Sequence, residues 1–556
     1  MMKLLSITPF SITVIIFFSF AAMIFADETG ATSDLRVVPA PKYMEVKDEF
    51  FELPTDITVT SSDIDCANYL KDQLSDILNS QLNITVRASD NKDFSLVLAP
   101  AGKDFSRMPA CPARPQAYSL ETGDASVRIK AFDLAGLRFG IQTFLQIAEQ
   151  THGGKYPVLT VKDFPGLKER WFLIILRPGK FMEMDSKEKT LDFYYWVFKR
   201  LARYKYNYVC LDFSPYTELR CHPEFRPEPF FNYEDIKRLI QKGKYHGLKL
   251  IPDFESFGKF MLGQSKETLE KNADILERKN DIGQGLWKEK FNSNQKKKLA
   301  EQKRPELGEG ELSEGLNILN PKVPAMIMEC IDETYILFDK PEYFFVGGDE
   351  HWDFCTSLSK DIDKGELFAG YFNNLNRHLQ EKNCRTIIWG DMLLSHLQFP
   401  YFYENHGGPP MNTHTAIKYL DKNIIIGDWH YGWPVSGSPP KFYPSISWFR
   451  QNGFDVIATT WFRNDNIYNV SRDAAALDCL GIMGTAFSLH NTFKVNTGIW
   501  KKNHEKFDMI TKRRELGVFA ATAEGGWNPV ESEKILQEYD TVEWEKRWLP
   551  QKLMKK

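Results

Sequence analysis

The chain has 556 residues, with 70 Lys and Arg set against 74 Asp and Glu. So even a balance leaves no electrostatic footprint for nucleic acid, and no nucleic-acid partner is expected. The length exceeds one ordinary domain and allows a large core beside a smaller one, while 14% aromatic residues suit either a large core or a sugar-stacking surface.

The N-terminal stretch "MMKLLSITPFSITVIIFFSFAAMIFADETG" sets Lys3 before an apolar run and small residues ending at Ala26. It predicts a secretory signal peptide over residues 1–26, cut near Ala22 or Ala26, which would place the body outside the cytoplasm. The run from Leu4 to Phe25 is also long enough to span a bilayer, so an uncleaved anchor is the alternative; no second run of that kind follows. All eight cysteines (Cys66, Cys111, Cys210, Cys221, Cys330, Cys355, Cys384 and Cys479) lie beyond it. None sits at metal-ligand spacing such as C-x-x-C, so no metal or other cofactor is expected, and the density is too low for a disulfide scaffold. Cys66 with Cys111 is the candidate bridge in an oxidising compartment; buried thiols are the alternative, above all for Cys210 and Cys479.

Residues 35–165 predict a small α+β domain. "LRVVPAPKYMEVKDEFFEL" and "DITVT" have strand character, "CANYLKDQLSDILNS" is an amphipathic helix, "FSLVLAP", "AYSLE" and "SVRIKA" are strands, and "LAGLRFGIQTFLQIAEQ" is a second helix. From Lys168 onward apolar runs alternate with helical periods. The runs are "RWFLIILR", "NYVCLDF", "LKLIPDF", "YFFVGG", "RTIIWGDM", "IIIGDWH", "DVIATTWF" and "GIMGTAFSLH". Eight strand–helix units with few charges inside the strands predict an α/β fold of the TIM type, a closed (β/α)8 barrel over residues 166–530 preceded by the small domain. An open doubly wound sheet is the competitor, but "LRPGKFMEMD" after the first strand is not a glycine-rich phosphate loop. Residues 264–316 form a long charged insertion, expected to be a solvated lid or excursion. Residues 531–556 predict a C-terminal helix.

Chemistry in such a barrel sits at the C-terminal ends of the strands. Those positions hold Arg177, Asp212, Asp253, Glu255, Asp349, Glu350, Trp389, Asp391, Asp428, Trp429, His430, Trp461 and His490. A ring of acids with one Arg and three Trp is costly as core unless a ligand or a network uses the charges. The mix suits a carbohydrate, whose apolar faces stack on Trp and whose hydroxyls bind Asp, Glu and Arg. Paired carboxylates are also what glycoside cleavage requires.

The segment "FFVGGDE" resembles the H-x-G-G-D-E strand of glycoside hydrolase family 20, the β-N-acetylhexosaminidases. The likeness covers almost the whole chain after the leader: "VVPAPKYMEV" and "VRIKAFDLAGLRFGIQTFLQI" are similar to that family's small preceding domain, and "GLKLIPDFESFG" and "IIWGDML" to its third and fifth strands. The resemblance implies a secreted, exo-acting enzyme that removes terminal β-linked GlcNAc or GalNAc with retention, using the 2-acetamido oxygen of the sugar as nucleophile. It implies Glu350 as general acid and then base, and Asp349 as the group that orients the acetamido N–H. Their adjacency is expected to push one pKa up, matching a proton donor beside an ionised stabiliser. Gly347 and Gly348 are expected to let the backbone leave the strand and aim both acids at one sugar. Arg177, Asp212, Glu255, Trp389, Asp391, Trp429 and Trp461 are the expected substrate-binding residues, with Tyr468 as a candidate for the acetamido oxygen. Three strand ends depart from the family pattern. The second reads "CLDFSPYTELR", the third carries Lys259 where the family has His, and the eighth offers Ser488, His490 and Asn491 in place of Trp and Glu.

Overall fold

A computed structural model describes residues 35–532 and residue 536, apart from 79–81, 90–92, 101–107, 152–154, 178–185, 226–230, 262–263, 279–311, 352, 355–361, 401, 403, 410, 432–442 and 488–516. The expected leader over 1–26, nearly all of the expected C-terminal helix 531–556, and Ser488, His490 and Asn491 lie outside the described residues.

The first domain is a seven-stranded sheet with two helices. Its strands are β1 (Tyr43–Glu52), β2 (Asp56–Ser61), β3 (Asn83–Ala88), β4 (Ser95–Pro100), β5 (Tyr118–Gly123), β6 (Ser126–Ala131) and β7 (Lys155–Asp163), in the order β1-β7-β5-β6-β4-β2-β3. All pairs are antiparallel except β2 with β3. Helix α1 (Ile64–Ile77) is capped by Asp63, which accepts from the Cys66 amide, and α2 (Leu134–Gln150) by Asp133, which accepts from Gly136. Capping of this kind satisfies amides that the first turn leaves open. The helices bury Leu70, Leu74, Ile141 and Phe144 against Leu96, Leu120 and Ile129 of the sheet. Strands β3 and β7 were not foreseen.

The second domain is a closed parallel barrel of eight strands: β8 (Glu169–Ile175), β9 (Tyr208–Asp212), β10 (Lys249–Asp253), β13 (Tyr343–Phe345), β14 (Arg385–Trp389), β15 (Ile425–Trp429), β16 (Asp455–Thr460) and β17 (Gly481–Ala486), with β17 paired to β8. Covering helices are α3 (Lys187–Arg203), α4 (Tyr233–Tyr245), α6 (Lys322–Leu337), α7 (Lys364–Gln380), α8 (Pro444–Gln451), α9 (Asn464–Ala476) and α10 (Gly517–Trp527). Inside the barrel Trp171, Tyr208, Cys210, Ile251, Phe345, Ile387 and Met483 fill the space as a packed core. The charged insertion opens with α5 (Lys266–Lys271) and returns through the antiparallel pair β11 (Leu276–Arg278) and β12 (Leu312–Leu316).

The small domain docks at the N-terminal ends of the barrel strands, where the sequence shows only charged, turn-like residues. Asp163 is fully buried there and accepts from Tyr118 Oη (2.7 Å), Lys205 Nζ (3.0 Å) and Trp527 Nε1 (2.7 Å). Arg203 bonds Glu149 at 3.0 Å and Gln73 at 3.0 Å across the same junction. The candidate bridge fails. Neither Cys66 nor Cys111 is in a disulfide, because Cys66 points into the helix–sheet core while Cys111 Sγ lies against the Pro112 and Ala117 carbonyls.

Candidate active site

Strand alternation decides which residues reach the mouth. Cys210 and Ile251 face the barrel interior, so Asp212 and Asp253, two positions on, face inward one layer higher, and they stand side by side in register. Both are buried, as is Glu255. Burial and then the neighbouring acids push the carboxyls of Asp253 (Asp212, Asp349) and Glu255 (Asp349, Asp253) well above the usual carboxylate range.

Strand β13 is only three residues long and ends before the glycines. Val346 still donates to the Ile387 carbonyl at 3.0 Å; the chain then turns through Gly347 (φ 72°), Gly348 (φ 104°) and Glu350 (φ 46°). Left-handed backbone at three of four positions is what swings Asp349 and Glu350 to one side, as the Gly-Gly pair predicted. A Cβ on Gly347 would lie 2.6 Å from Glu255 Oε2, so a side chain there must displace the Glu255 carboxylate.

Lys259 joins the two acids. Its ammonium stands 2.5 Å from Asp349 Oδ2 and 2.8 Å from Glu350 Oε2. Burial alone would lower the lysine pKa, but the charges of Asp349 and Glu350 raise it well above the usual value. The described ends of the insertion brace this turn: Leu316 donates to the Phe257 carbonyl at 2.9 Å and Met261 to that of Glu314 at 3.0 Å. Asp349 is buried and its Oδ1 has no hydrogen-bond partner among the described residues. Burial raises its pKa to about 6 against the opposing pull of Lys259. The upward shift is thus on Asp349, the expected ionised stabiliser rather than the proton donor, and its first cause is burial rather than the adjacent acid. His351, next in the chain, is not part of this chemistry: burial lowers it to about 4 and its Nε2 meets the Leu316 carbonyl at 3.1 Å.

Asp391 is fully committed. Its Oδ2 accepts from the Glu350 amide (3.1 Å) and His406 Nδ1 (2.7 Å), and its Oδ1 from Trp429 Nε1 (3.2 Å). Although burial works the other way, the bond and charge of His406 hold its carboxyl below the usual value. Asp391 thus orients Glu350 and Trp429, whereas the sequence pointed to a sugar contact. Trp429 is partly exposed at the mouth, with Trp389 beneath it at a ring distance of 6.5 Å. Trp389 itself is buried on Phe345 (4.5 Å) and belongs to the barrel core. Trp461 is partly exposed and meets Tyr431 at 5.5 Å, while Tyr431 meets Trp429 at 5.3 Å. Arg177 stands at the end of β8 and donates to Tyr216 Oη at 2.8 Å.

Two expected positions turn away. Asp428 accepts from Ser445 Oγ at 2.7 Å on α8, since alternation sends it outward from β15. Tyr468 lies on α9, its ring packed on the outer core and under the Arg472 guanidinium at 5.7 Å, so the structure does not bring it to the acids. Sequence reasoning missed His406 and Tyr431, which follow no motif, and read Lys259 as a departure from the family pattern that bears on sugar identity, without placing it on the acid pair.

Two family descriptions match this chain: "Glycosyl hydrolase family 20, domain 2" over residues 34–164 and "Glycosyl hydrolase family 20, catalytic domain" over residues 212–433. A lacto-N-biosidase of Bifidobacterium bifidum is 20% identical over 422 residues, 73% of this chain and 31% of that protein. A beta-hexosaminidase of Porphyromonas gingivalis is 21% identical over 395 residues, 65% of this chain and 46% of that protein. The chain thus spans less than half the length of either curated relative. A solved β-N-acetylhexosaminidase structure from Bacteroides fragilis shares the fold, with a TM-score of 0.59 at 15% identity over 93% of this chain and 95% of that one. The two matches fall on the two domains just built, with the acid pair at the mouth of the matched barrel, and the chain belongs to glycosyl hydrolase family 20.

Proposed function

We propose that the chain is an exo-acting β-N-acetylhexosaminidase that releases terminal β-linked GlcNAc or GalNAc with retention. The observation that supports this most is the acid pair itself: Asp349 and Glu350 turned to one side by Gly347 and Gly348, with the Glu350 backbone anchored on Asp391. In this reading Glu350 protonates the leaving oxygen while the substrate's acetamido oxygen closes on C1 to an oxazolinium. Asp349 accepts the acetamido N–H and offsets the positive charge; Glu350 then takes a proton from the water that opens the ring. Trp429 and Trp461 offer the apolar wall, and Arg177, Asp212 and Glu255 polar contacts. The Lys259 ammonium stands 2.8 Å from Glu350 Oε2, so proton delivery to the leaving oxygen requires the bound sugar to part that contact. Export to an extracytoplasmic compartment belongs to the same reading and rests on the N-terminal sequence.

Lys259 also favours a second reading, a glycan-binding relative without turnover, because its ammonium occupies the Glu350 carboxylate that would have to reach the leaving oxygen. Two measurements separate them. An enzyme of the first kind releases the β-anomer first, as seen by proton NMR, and binds a thiazoline mimic of the oxazolinium far more tightly than GlcNAc. A binding protein shows GlcNAc affinity by calorimetry, no turnover, and no preference for the thiazoline.

A further inference from the structure

Away from the barrel mouth, the loop after β9 meets α6 through a cluster of soft ligands. Cys221 Sγ and Cys330 Sγ lie 3.9 Å apart, and a nitrogen of His222 completes a set whose atoms all fall within 4.8 Å of one another. The surroundings hold the set in place. Glu333, one turn along α6 from Cys330, accepts from the backbone amides of Arg220 (2.9 Å) and Cys221 (2.7 Å). His222 stacks on Phe225 at 5.0 Å, and its two nitrogens face Glu224 Oε1 and Glu329 Oε2, each at 3.0 Å.

We propose that Cys221, His222 and Cys330 bind a divalent cation of the zinc class, with Glu329 or Glu224 as the fourth ligand. Two thiolates bound tetrahedrally at about 2.3 Å stand about 3.8 Å apart, which is the separation found here, and small rotations of the surface side chains bring the nitrogen in. Ligation by one ring nitrogen frees the carboxylate beside it to join the metal, while the other nitrogen keeps its carboxylate as an outer partner, the usual support for a metal-bound His. The acids Glu224, Glu329 and Glu333 offset the cation's charge. Bound there, the ion clips two parts of the site's frame: the loop carrying Tyr216, which holds Arg177, and the helix that leads into β13 and the acid pair.

The test uses the purified full-length chain, stripped with chelator and titrated with zinc or cobalt. Elemental analysis is expected to find one zinc per chain, and cobalt to give near-ultraviolet sulfur-to-metal absorption. Both are lost in Cys330→Ser and Cys221→Ser, and His222→Asn weakens binding at least tenfold. Because Cys330 is buried, its variant could misfold; Cys221 is at the surface, so its variant keeps the test open. Absence of metal uptake with every thiol reactive would overturn the proposal. So would a disulfide between Cys221 and Cys330, identified by peptide mapping without reductant.

Discussion

The Glu350 amide donates to Asp391 Oδ2 at 3.1 Å, and the same carboxylate accepts from His406 and from Trp429. Three donors converge on one anion, which ties the Glu350 backbone and the mouth tryptophan to the end of β14. An amide at residue 391 has one acceptor oxygen and would aim N–H at a donor. Asp391→Asn should therefore cost about 1–3 kcal/mol of stability and lower kcat by roughly ten- to a hundredfold through misplacement of Glu350. Thermal melts and initial rates check this; an unchanged kcat would show that Asp391 does not position the acid.

Burial and Lys259 act in opposite directions on the Asp349 carboxyl. With the Asp349 carboxyl raised to about 6, chiefly by burial and held down by Lys259, the group is protonated below that pH and cannot accept the acetamido N–H. The acid limb of the kcat/KM profile is expected near pH 6, with activity rising through it. Removing the ammonium in Lys259→Gln leaves burial unopposed, so the limb moves to higher pH. A limb that stays in place would show that the ion pair does not act on the titrating group.

Gly347 has φ 72°, and a side chain there would meet Glu255 Oε2 at 2.6 Å. Gly347→Ala is expected to destabilise by about 1–3 kcal/mol and to reduce kcat at least tenfold by displacing the acid pair. Urea unfolding and single-turnover rates measure the two effects. Ala at this position with full activity would mean that the turn does not position the acids.

At the opposite end of the barrel, Lys205 and Asp163 are both fully buried and 3.0 Å apart. Lys205→Met leaves Asp163 with only neutral donors, and loss of one partner of a buried pair costs about 3–5 kcal/mol. The urea midpoint should fall while kcat/KM of the folded protein stays within about twofold. A comparable loss in kcat/KM without loss of stability would place the junction in the catalytic machinery.

All eight barrel strands were legible because parallel strands buried on both faces read as unbroken apolar runs. Strand β3, "NITVRA", was not, since it lies at the sheet edge with little buried beyond Ile84. Strand β7 carries Pro157 and Lys162 inside its apolar pattern, which weakens it as a strand signal. Helix α10 is buried along nearly its whole length, so "GVFAATAEGGW" shows no amphipathic period to detect. In the site, Asp349, Glu350 and their glycine turn could be read from one short motif. The Lys259 bridge could not, because it joins residues 90 positions apart, nor could the Asp391–His406 bond, which depends on a loop with no motif. Tyr468, expected at the acetamido oxygen, stands instead on α9, which begins at Asn464 and packs it on the outer core.

The central claim is that Asp349 and Glu350 cleave a terminal 2-acetamido sugar. It is tested most directly by release of p-nitrophenol from the β-GlcNAc, β-GalNAc and β-glucose conjugates, with Glu350→Gln alongside. Turnover of the acetamido sugars alone, reduced at least a hundredfold in the variant, is the result this account predicts. Equal turnover of the glucoside, or activity that survives Glu350→Gln, would contradict it.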